Sequence, residues 1–221
     1  DTVFEIGAGQ GIITNELLKK CRSVIAFEID TNLFDKLSQR FQDNKTLELR
    51  FGDFLFHNLP NQPYKVFSNI PFNITSAVIK KLTQASCPPE DAYLITQKEA
   101  AKKFVGKPYD NKNSQTAILT KPWFDMEFSY EFQRSDFFPK PNVDTVLLRI
   151  EKKSDQLIDR DNKRQYEDFV SYTFNQFKPN IGESLSEIFG KQKINNLAQK
   201  LNIRATSKPS ELDFRDWLSL F

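Results

Sequence analysis

The sequence predicts an α/β domain with a largely parallel sheet, followed by a small all-helical C-terminal domain. Through the first hundred residues, short apolar runs alternate with segments of helical periodicity, which is typical of a parallel sheet covered by helices. Aromatic-rich runs at Trp123–Phe132 and Val143–Ile150 predict a closing antiparallel pair. A polar, charged stretch at Lys152–Lys163 then predicts a linker. We therefore expect a first domain at 1–152 and a second at 153–221.

The elements of the first domain follow from their apolar spacing. Five strands are predicted at Thr2–Ile6, Ser23–Ile29, Leu47–Phe51, Lys65–Ser68 and Asp91–Thr96. Apolar residues at helical spacing predict three helices and their buried faces: Ile12, Ile13, Leu17 and Leu18 in Ile12–Lys20; Leu33, Phe34, Leu37 and Phe41 in a helix capped by Thr31; and Val78, Ile79 and Leu82 in Thr75–Thr83.

The second domain is predicted to be helical because β-branched runs become rare after the linker. Three or four helical segments are expected at Arg164–Phe177, Leu185–Phe189, Lys191–Leu201 and Ser210–Leu220. The basic residues of this domain are judged to be interleaved with acids, so we expect none of them to contact a ligand.

Composition excludes several classes of site. Two cysteines and one histidine are too few for a disulfide framework, a cysteine-rich zinc site, a histidine-based metal centre or a Ser-His triad. No apolar run approaches the roughly 20 residues that a membrane span needs. We expect reduced thiols, a cytoplasmic location, no metal and no membrane partner. Since Asp1 opens directly onto a predicted strand, we also expect a segment to precede it.

A glycine-rich turn predicts a nucleoside-like cofactor. Gly7, Gly9 and Gly11 follow the first predicted strand, where they permit a sharp turn and a close approach of the backbone to a ligand. Glu28 ends the second strand about 20 residues later, where ribose hydroxyls lie in such folds. Asp53 follows the third strand, and its carboxylate is suited to accept a hydrogen bond from an adenine amine. Each feature also has a purely structural explanation. The glycines can form a tight connection, Glu28 can be a solvated charge at a strand end, and Asp53 can be a turn residue.

A second motif predicts the reacting site. Asn69, Ile70, Pro71 and Phe72 follow the fourth strand, at the sheet edge where α/β folds bind ligands. The Asn69 side-chain oxygen and the Ile70 carbonyl suit the two hydrogens of an adenine amine, Pro71 stiffens the turn, and Phe72 offers a stacking face. The same residues could instead form a plain capped turn. Together the two motifs predict methyl transfer from S-adenosylmethionine to adenine.

A later proline-bounded segment supplies a further aromatic platform. Phe137 is predicted to cover the other face of the base, whereas Phe138 fits a hydrophobic plug equally well. Basic residues on a predicted helix and loop beside this edge are candidate phosphate contacts, or an ordinary solvated face: Lys98, Lys102, Lys103, Lys107, Lys112 and Lys140.

These motifs resemble those of the adenine dimethyltransferases of ribosomal RNA, over nearly the whole chain. The matching segments are E-I-G-A-G-Q-G, F-E-I-D, G-D-F, N-I-P-F-N-I-T and F-F-P-K-P-N-V-D-T-V-L-L-R-I. The resemblance implies a Rossmann-like, S-adenosylmethionine-dependent methyltransferase domain with a small helical, RNA-associated C-terminal domain. It implies that Gly7, Glu28, Asp53 and Asn69 contact the cofactor and that Asn69, Phe72 and Phe137 hold the adenine.

Within the family, the chain looks more like the erythromycin-resistance (Erm) branch than the small-subunit branch. N-I-P-F stands where N-L-P-Y is usual in the small-subunit enzymes, and the short tail ending at Phe221 is also Erm-like. The implied substrate is one adenine of 23S ribosomal RNA in a single strand or loop, acted on by a monomer. The alternatives are 16S ribosomal RNA, DNA adenine, or an RNA-binding relative without activity. Family members also carry an upstream Gln-Asn-Phe-type segment that closes over the cofactor.

Overall fold

A computed structural model of the protein describes residues 1–107 and 109–221, and shows one mixed sheet with helices and a separate group of helices. The strands are β1 (Thr2–Ile6), β2 (Ser23–Glu28), β3 (Leu47–Phe51), β4 (Lys65–Asn69), β5 (Asp91–Gln97), β6 (Phe124–Phe132) and β7 (Thr145–Lys152). The helices are α1 (Ile12–Lys20), α2 (Thr31–Arg40), α3 (Thr75–Thr83), α4 (Lys98–Val105), α5 (Gln115–Thr120), α6 (Lys163–Asn175), α7 (Ile181–Phe189), α8 (Lys191–Lys200) and α9 (Phe214–Leu220).

The sheet has the order β3-β2-β1-β4-β5-β7-β6. The first five strands pair in parallel, and β7 is antiparallel to both β5 and β6. The predicted parallel sheet with a closing antiparallel pair is therefore confirmed. Because the strand order reverses between β1 and β4, the carboxyl ends of these two strands form the crevice in which doubly wound folds bind ligands.

Helix α3 buries its apolar face. Val78, Ile79 and Leu82 are fully buried, as their spacing predicted. The prediction for α1 is wrong at Ile12, which is 70% exposed, and Thr14 is the residue that α1 buries. A polar side chain can be buried when it has a hydrogen-bond partner inside the protein, and the spacing of apolar residues does not reveal such a partner.

Helix starts were the least accurate part of the prediction. Asp30, not Thr31, caps α2, and its carboxylate accepts from the Leu33 N–H at 2.9 Å. Asn180 caps α7 by accepting from the Glu183 N–H at 2.9 Å, so this helix begins four residues before the predicted Leu185. Helix α9 begins at Phe214, after a short 3₁₀ turn, rather than at Ser210. Strand ends differ from the predictions by one or two residues.

Contacts divide the chain into two units. The first comprises 1–101 and 124–152, and the second comprises 102–123 and 153–221. The sequence placed 102–123, including the unpredicted α5, in the first domain. These residues group with the helical unit through long-range bonds that composition does not reveal. The buried Asn113 donates from Nδ2 to the Leu212 carbonyl at 2.8 Å, and the Tyr166 hydroxyl donates to the Ile118 carbonyl at 2.9 Å.

No helix in the described part of the chain has the length and apolar character that crossing a membrane requires.

Candidate active site

The glycine turn and the N-I-P-F segment lie side by side. Strands β1 and β4 are neighbours, with Val3 paired to Lys65 and Phe4 to Val66. A Cβ added to Gly7 would lie 3.7 Å from Pro71 Cδ, in ordinary van der Waals contact. Both motifs therefore occupy the same carboxyl edge of the sheet, next to each other.

The glycine turn is held by the backbone of β2. The N–H groups of Gly7 and Ala8 both donate to the Phe27 carbonyl at 2.9 Å. Gly7, Gly9 and Gly11 have φ values of 73°, 59° and 75°, which disfavour any residue with a side chain. The turn is thus a fixed backbone feature.

The three glycines differ in what surrounds them. A Cβ on Gly9 would meet nothing closer than a carbonyl at 4.0 Å, so space for a ligand is open there. A Cβ on Gly11 would lie 2.6 Å from Leu37 Cδ2 and 3.0 Å from the Phe41 ring. The lack of a side chain at Gly11 is therefore explained by packing against α2, and its predicted cofactor contact stays a prediction.

Glu28 links the end of β2 to the glycine turn. One of its oxygens accepts from the Gly9 N–H at 2.7 Å, and the other accepts from the N–H groups of Ile29 and Asp30 at 2.9 Å. Only 5% of the residue is exposed. A carboxylate has about four acceptor sites, so one remains for a further donor such as a ribose hydroxyl.

Asp53 stands next to this carboxylate along the sheet edge. The N–H of Gly52 donates to the Glu28 carbonyl at 2.9 Å, which brings the third strand end beside the second. Asp53 Oδ1 accepts from the Leu55 N–H at 2.9 Å and caps a 3₁₀ turn at Phe54–Phe56. The side chain is half-buried, and its second oxygen has no partner in the described part of the chain.

The N-I-P-F segment combines a rigid backbone with outward-facing side chains. The Ile70 N–H donates to the Ile95 carbonyl at 3.2 Å, and Ile70 itself is buried. Asn69 is exposed, and within residues 1–107 and 109–221 its side chain makes no hydrogen bond. Phe72 is 36% exposed. The amide and the ring are therefore available to a ligand.

Two buried threonines, which sequence analysis did not identify, form a short chain of hydrogen bonds to this segment. Thr75 Oγ1 lies 3.1 Å from the Phe72 carbonyl and 2.8 Å from Thr96 Oγ1, and both threonines are buried. They connect the N-I-P-F turn to the end of β5. A threonine at a predicted helix start, as Thr75 is, is the signal that could have indicated this role.

The second aromatic platform is less completely defined. Phe137 is half-buried and packs edge-on against Phe132, with ring centroids 5.3 Å apart. Phe138 is fully exposed, which does not fit a hydrophobic plug. Among the described residues no ring contact or hydrogen bond joins Phe137 to Phe72 or Asn69, so the predicted stacking on both faces of a base stays a prediction.

Two of the predicted phosphate contacts are engaged elsewhere. The Lys98 ammonium donates to Glu131 at 2.8 Å, and the Lys107 ammonium pairs with Asp213 at 2.9 Å. Neither ammonium is therefore a free cation. The structure contains no group of three or more His, Cys, Asp or Glu side chains suited to a metal ion in its described part.

Glu5 is a buried carboxyl beside the site that sequence analysis did not single out. It is 1% exposed, and Thr14 Oγ1 donates to Glu5 Oε2 at 2.6 Å. The pKa of Glu5 is raised to about 7, because burial and, to a smaller extent, nearby Glu28 raise it by more than the hydrogen bonds from Thr14 lower it. The signal was present as a single carboxylate within the apolar first strand.

Comparison with known proteins decides the family. The family described as "Ribosomal RNA adenine dimethylase" matches residues 1–221. The chain belongs to this family.

Relatives in two branches of the family are similar to this chain. A ribosomal RNA small subunit methyltransferase A of Mycoplasma mobile is 29% identical over the whole chain and 86% of its own length. An rRNA adenine N-6-methyltransferase of Bacteroides fragilis is 31% identical over the whole chain and 82% of its own length. The crystal structure of the 23S rRNA methyltransferase ErmE superposes with a TM-score of 0.89 at 28% identity, over 99% of this chain and 88% of that one.

Family membership confirms two predictions. The fold is that of a Rossmann-like methyltransferase with a helical C-terminal part. The protein is an S-adenosylmethionine-dependent enzyme that methylates the N6 of adenine in ribosomal RNA. The roles of individual residues stay predictions.

Substitution of two glycines of the protein should have different effects. Gly11→Ala should lower the free energy of unfolding by about 2 to 5 kcal/mol, because left-handed strain adds to overpacking against Leu37. Gly9→Ala should cost only the strain, about 1 to 2 kcal/mol, but should weaken binding of S-adenosylhomocysteine. Urea unfolding and calorimetric titration measure the two effects. Equal destabilisation by both substitutions would contradict the packing explanation of Gly11.

The stability of the protein should depend on the ionisation of Glu5. Its pKa of about 7 in the folded protein lies above the ordinary value of 4.5, so the folded state holds the proton more tightly. Stability should therefore fall as the pH rises from about 4.5 to 7. Glu5→Gln keeps an oxygen acceptor for Thr14 and should be up to about 3 kcal/mol more stable than wild type at pH 8, with little difference near pH 4.5.

Urea unfolding at both pH values measures this difference. The exposed Glu90→Gln provides the control and should follow the wild-type curve. Parallel curves for wild type and Glu5→Gln would contradict a raised pKa of Glu5 in the folded protein.

Proposed function

We propose that the protein transfers methyl groups from S-adenosylmethionine to the exocyclic amine of one adenine in 23S ribosomal RNA, which confers resistance to macrolides, lincosamides and streptogramin B. The observation that supports the site assignment is the closeness of Gly7 to Pro71, since a Cβ built on Gly7 would lie only 3.7 Å from Pro71 Cδ. A cofactor-type turn thus lies beside a segment suited to an amine.

The residues of the glycine turn and its neighbours are suited to hold the cofactor. The backbone at Gly7 and Gly9 leaves room for close approach, the free acceptor site of Glu28 suits a ribose hydroxyl, and the unpartnered oxygen of Asp53 suits an adenine amine. S-adenosylmethionine, when bound, supplies a methyl group on a positively charged sulfur.

Asn69 and Ile70 are proposed to orient the target amine. The nitrogen lone pair of adenine is delocalised into the ring, which makes the amine a poor nucleophile. If the Asn69 side-chain oxygen and the Ile70 carbonyl accept its two hydrogens, the lone pair is directed away from the ring plane. Pro71 and the Ile70–Ile95 hydrogen bond keep that carbonyl in place. These residues act by positioning and electrostatics, without a strong general base.

Aromatic side chains are proposed to hold the base outside its helix. Stacking on Phe72 is worth about 1–3 kcal/mol, comparable with the few kcal/mol that unstacking a base costs. Phe137 is proposed to cover the opposite face. This balance favours an adenine in a loop or single strand, where less stacking is lost.

The choice of 23S over 16S ribosomal RNA is supported by two observations. Phe72 stands where small-subunit enzymes usually have Tyr, and ErmE is similar in both structure and sequence. The alternative, a small-subunit adenine dimethyltransferase, is favoured by the names of relatives such as those of Mycoplasma mobile and Mycoplasmopsis synoviae. We further propose a cytoplasmic monomer, in keeping with two free thiols.

Removal of the Asn69 side chain should abolish most of the activity. Asn69→Ala should lower kcat by about 10²- to 10³-fold, the loss typical of one positioned polar group in an active site. Transfer of labelled methyl groups to ribosomal RNA measures kcat. The adjacent exposed Asn73→Ala is the matched control and should retain wild-type activity. A fully active Asn69→Ala would overturn the proposed role of this side chain.

Mapping of the modified nucleotides separates the two proposed substrates. In cells that express the complete gene, we expect N6-methylated adenine at one position of 23S ribosomal RNA, together with reduced macrolide susceptibility. Primer extension and mass spectrometry on both ribosomal RNAs measure the modification. Methylation confined to an adenine pair near the 3′ end of 16S ribosomal RNA would establish the alternative.

A further inference from the structure

Strand β1 is paired over different lengths with its two neighbours. Its pairing with β2 runs as far as Ile6, the last residue of β1. Its pairing with β4 ends two residues earlier, at Phe4 opposite Val66. Strand β4 itself continues, since it pairs with β5 as far as Asn69. Strands β1 and β4 therefore separate over their last residues, while each stays paired with its outer neighbour.

One buried hydroxyl bridges the gap between these two strands. The register that pairs Phe4 with Val66, continued by two residues, places Ile6 opposite Ser68. Ser68 Oγ accepts a hydrogen bond from the Ile6 N–H at 3.1 Å and donates one to the Ile6 carbonyl. Ser68 is 0% exposed and Ile6 is 2% exposed. A single side chain thus takes the place of the backbone bonds that a longer ladder would make.

The Ser68 hydroxyl allows the strands to separate inside the protein. A buried backbone N–H or C=O without a partner costs free energy, so two strands can part in a core only where another group satisfies them. A hydroxyl is suited to this because it donates and accepts at once. Strands in a direct ladder lie about 4.8 Å apart, and a side chain inserted between them keeps them further apart. Ser68 is therefore a spacer between the carboxyl ends of β1 and β4.

This spacer immediately precedes the residues of the candidate site. Gly7, the first residue of the glycine turn, follows Ile6, and Asn69 follows Ser68. The glycine turn is bonded to β2 through the Phe27 carbonyl, whereas Asn69 is paired with β5. The two hydrogen bonds of Ser68 join these two halves of the crevice. The distance between the glycine turn and the N-I-P-F segment therefore depends on this hydroxyl.

We propose that Ser68 is a positioning residue, whose hydroxyl sets the distance between the cofactor turn and the segment that orients the adenine amine. The inference rests on the proposed roles of Gly7 and Asn69. A misplacement of about 1 Å between reacting groups can lower a rate about 100-fold. Loss of the spacer should displace the strand ends by less, because each stays paired with its outer neighbour, so we expect a fall in rate of about 10-fold.

Ser68→Ala in the full chain tests the inference, because it removes the hydroxyl at nearly constant volume. We expect kcat for transfer of labelled methyl groups to ribosomal RNA to fall about 10-fold. The dissociation constants of S-adenosylhomocysteine and of RNA should each change by less than about twofold, since each ligand alone is bound on one side of the gap. A purely structural role would lower the melting temperature without this separation of kcat from binding. The assay uses whichever ribosomal RNA the wild type methylates.

Two further variants separate hydrogen bonding from packing and from stability. Ser68→Gly leaves room for about one water molecule, roughly 30 Å³, which can bond both backbone groups of Ile6, so it should be about threefold more active than Ser68→Ala. Ser184→Ala is the matched control, because Ser184 is also 0% exposed and donates to the Asn180 carbonyl at 3.0 Å in α7. It should keep the wild-type kcat. All assays are run well below the melting temperature of each variant.

Three results would overturn the role of Ser68. One is a kcat of Ser68→Ala within about twofold of wild type. Another is an equal fall of kcat in Ser184→Ala, which reflects stability alone. The third is a lower activity of Ser68→Gly than of Ser68→Ala, which reflects packing rather than hydrogen bonding.

Asn69→Ala, measured in parallel, separates this inference from the proposed function. A fully active Asn69→Ala overturns the amine site itself. A large loss in Asn69→Ala together with a fully active Ser68→Ala leaves the amine site in place and overturns only the role of the spacer.

Discussion

The site depends on the left-handed glycine turn that follows β1. The positive φ of Gly7 disfavours any side chain, whereas the neighbouring Pro71 does not, since a Cβ on Gly7 would lie 3.7 Å from Pro71 Cδ in ordinary van der Waals contact. The same positive φ turns the Gly7 and Ala8 N–H groups back onto Phe27, so the turn is fixed by β2 while it faces β4. The proposed cofactor and substrate positions therefore lie at the ends of three adjacent strands, β2, β1 and β4.

Two buried carboxyl groups, those of Glu28 and Glu5, lie beside the glycine turn and have opposite effects on the folded protein. Glu28 uses three of its acceptor sites to align backbone N–H groups, and so holds the turn in shape before any ligand binds. Glu5 lies nearby with Thr14 as its hydrogen-bond partner, and burial raises its pKa. Two carboxyls at one strand edge make the apo site an unfavourable place for negative charge. A positively charged sulfur would relieve that, which fits an enzyme that binds a sulfonium cofactor.

The sequence predicted correctly those features that depend on neighbouring residues along the chain. The strands, the glycine turn and the order Glu28, Asp53, Asn69 were all visible because each follows an apolar run. It failed where a distant partner decides the outcome. Thr14 is buried because it binds Glu5, and Asn113 joins residues 102–123 to the helical unit through a carbonyl 99 residues away. Neither partner can be identified from spacing, because nothing in the local pattern specifies it.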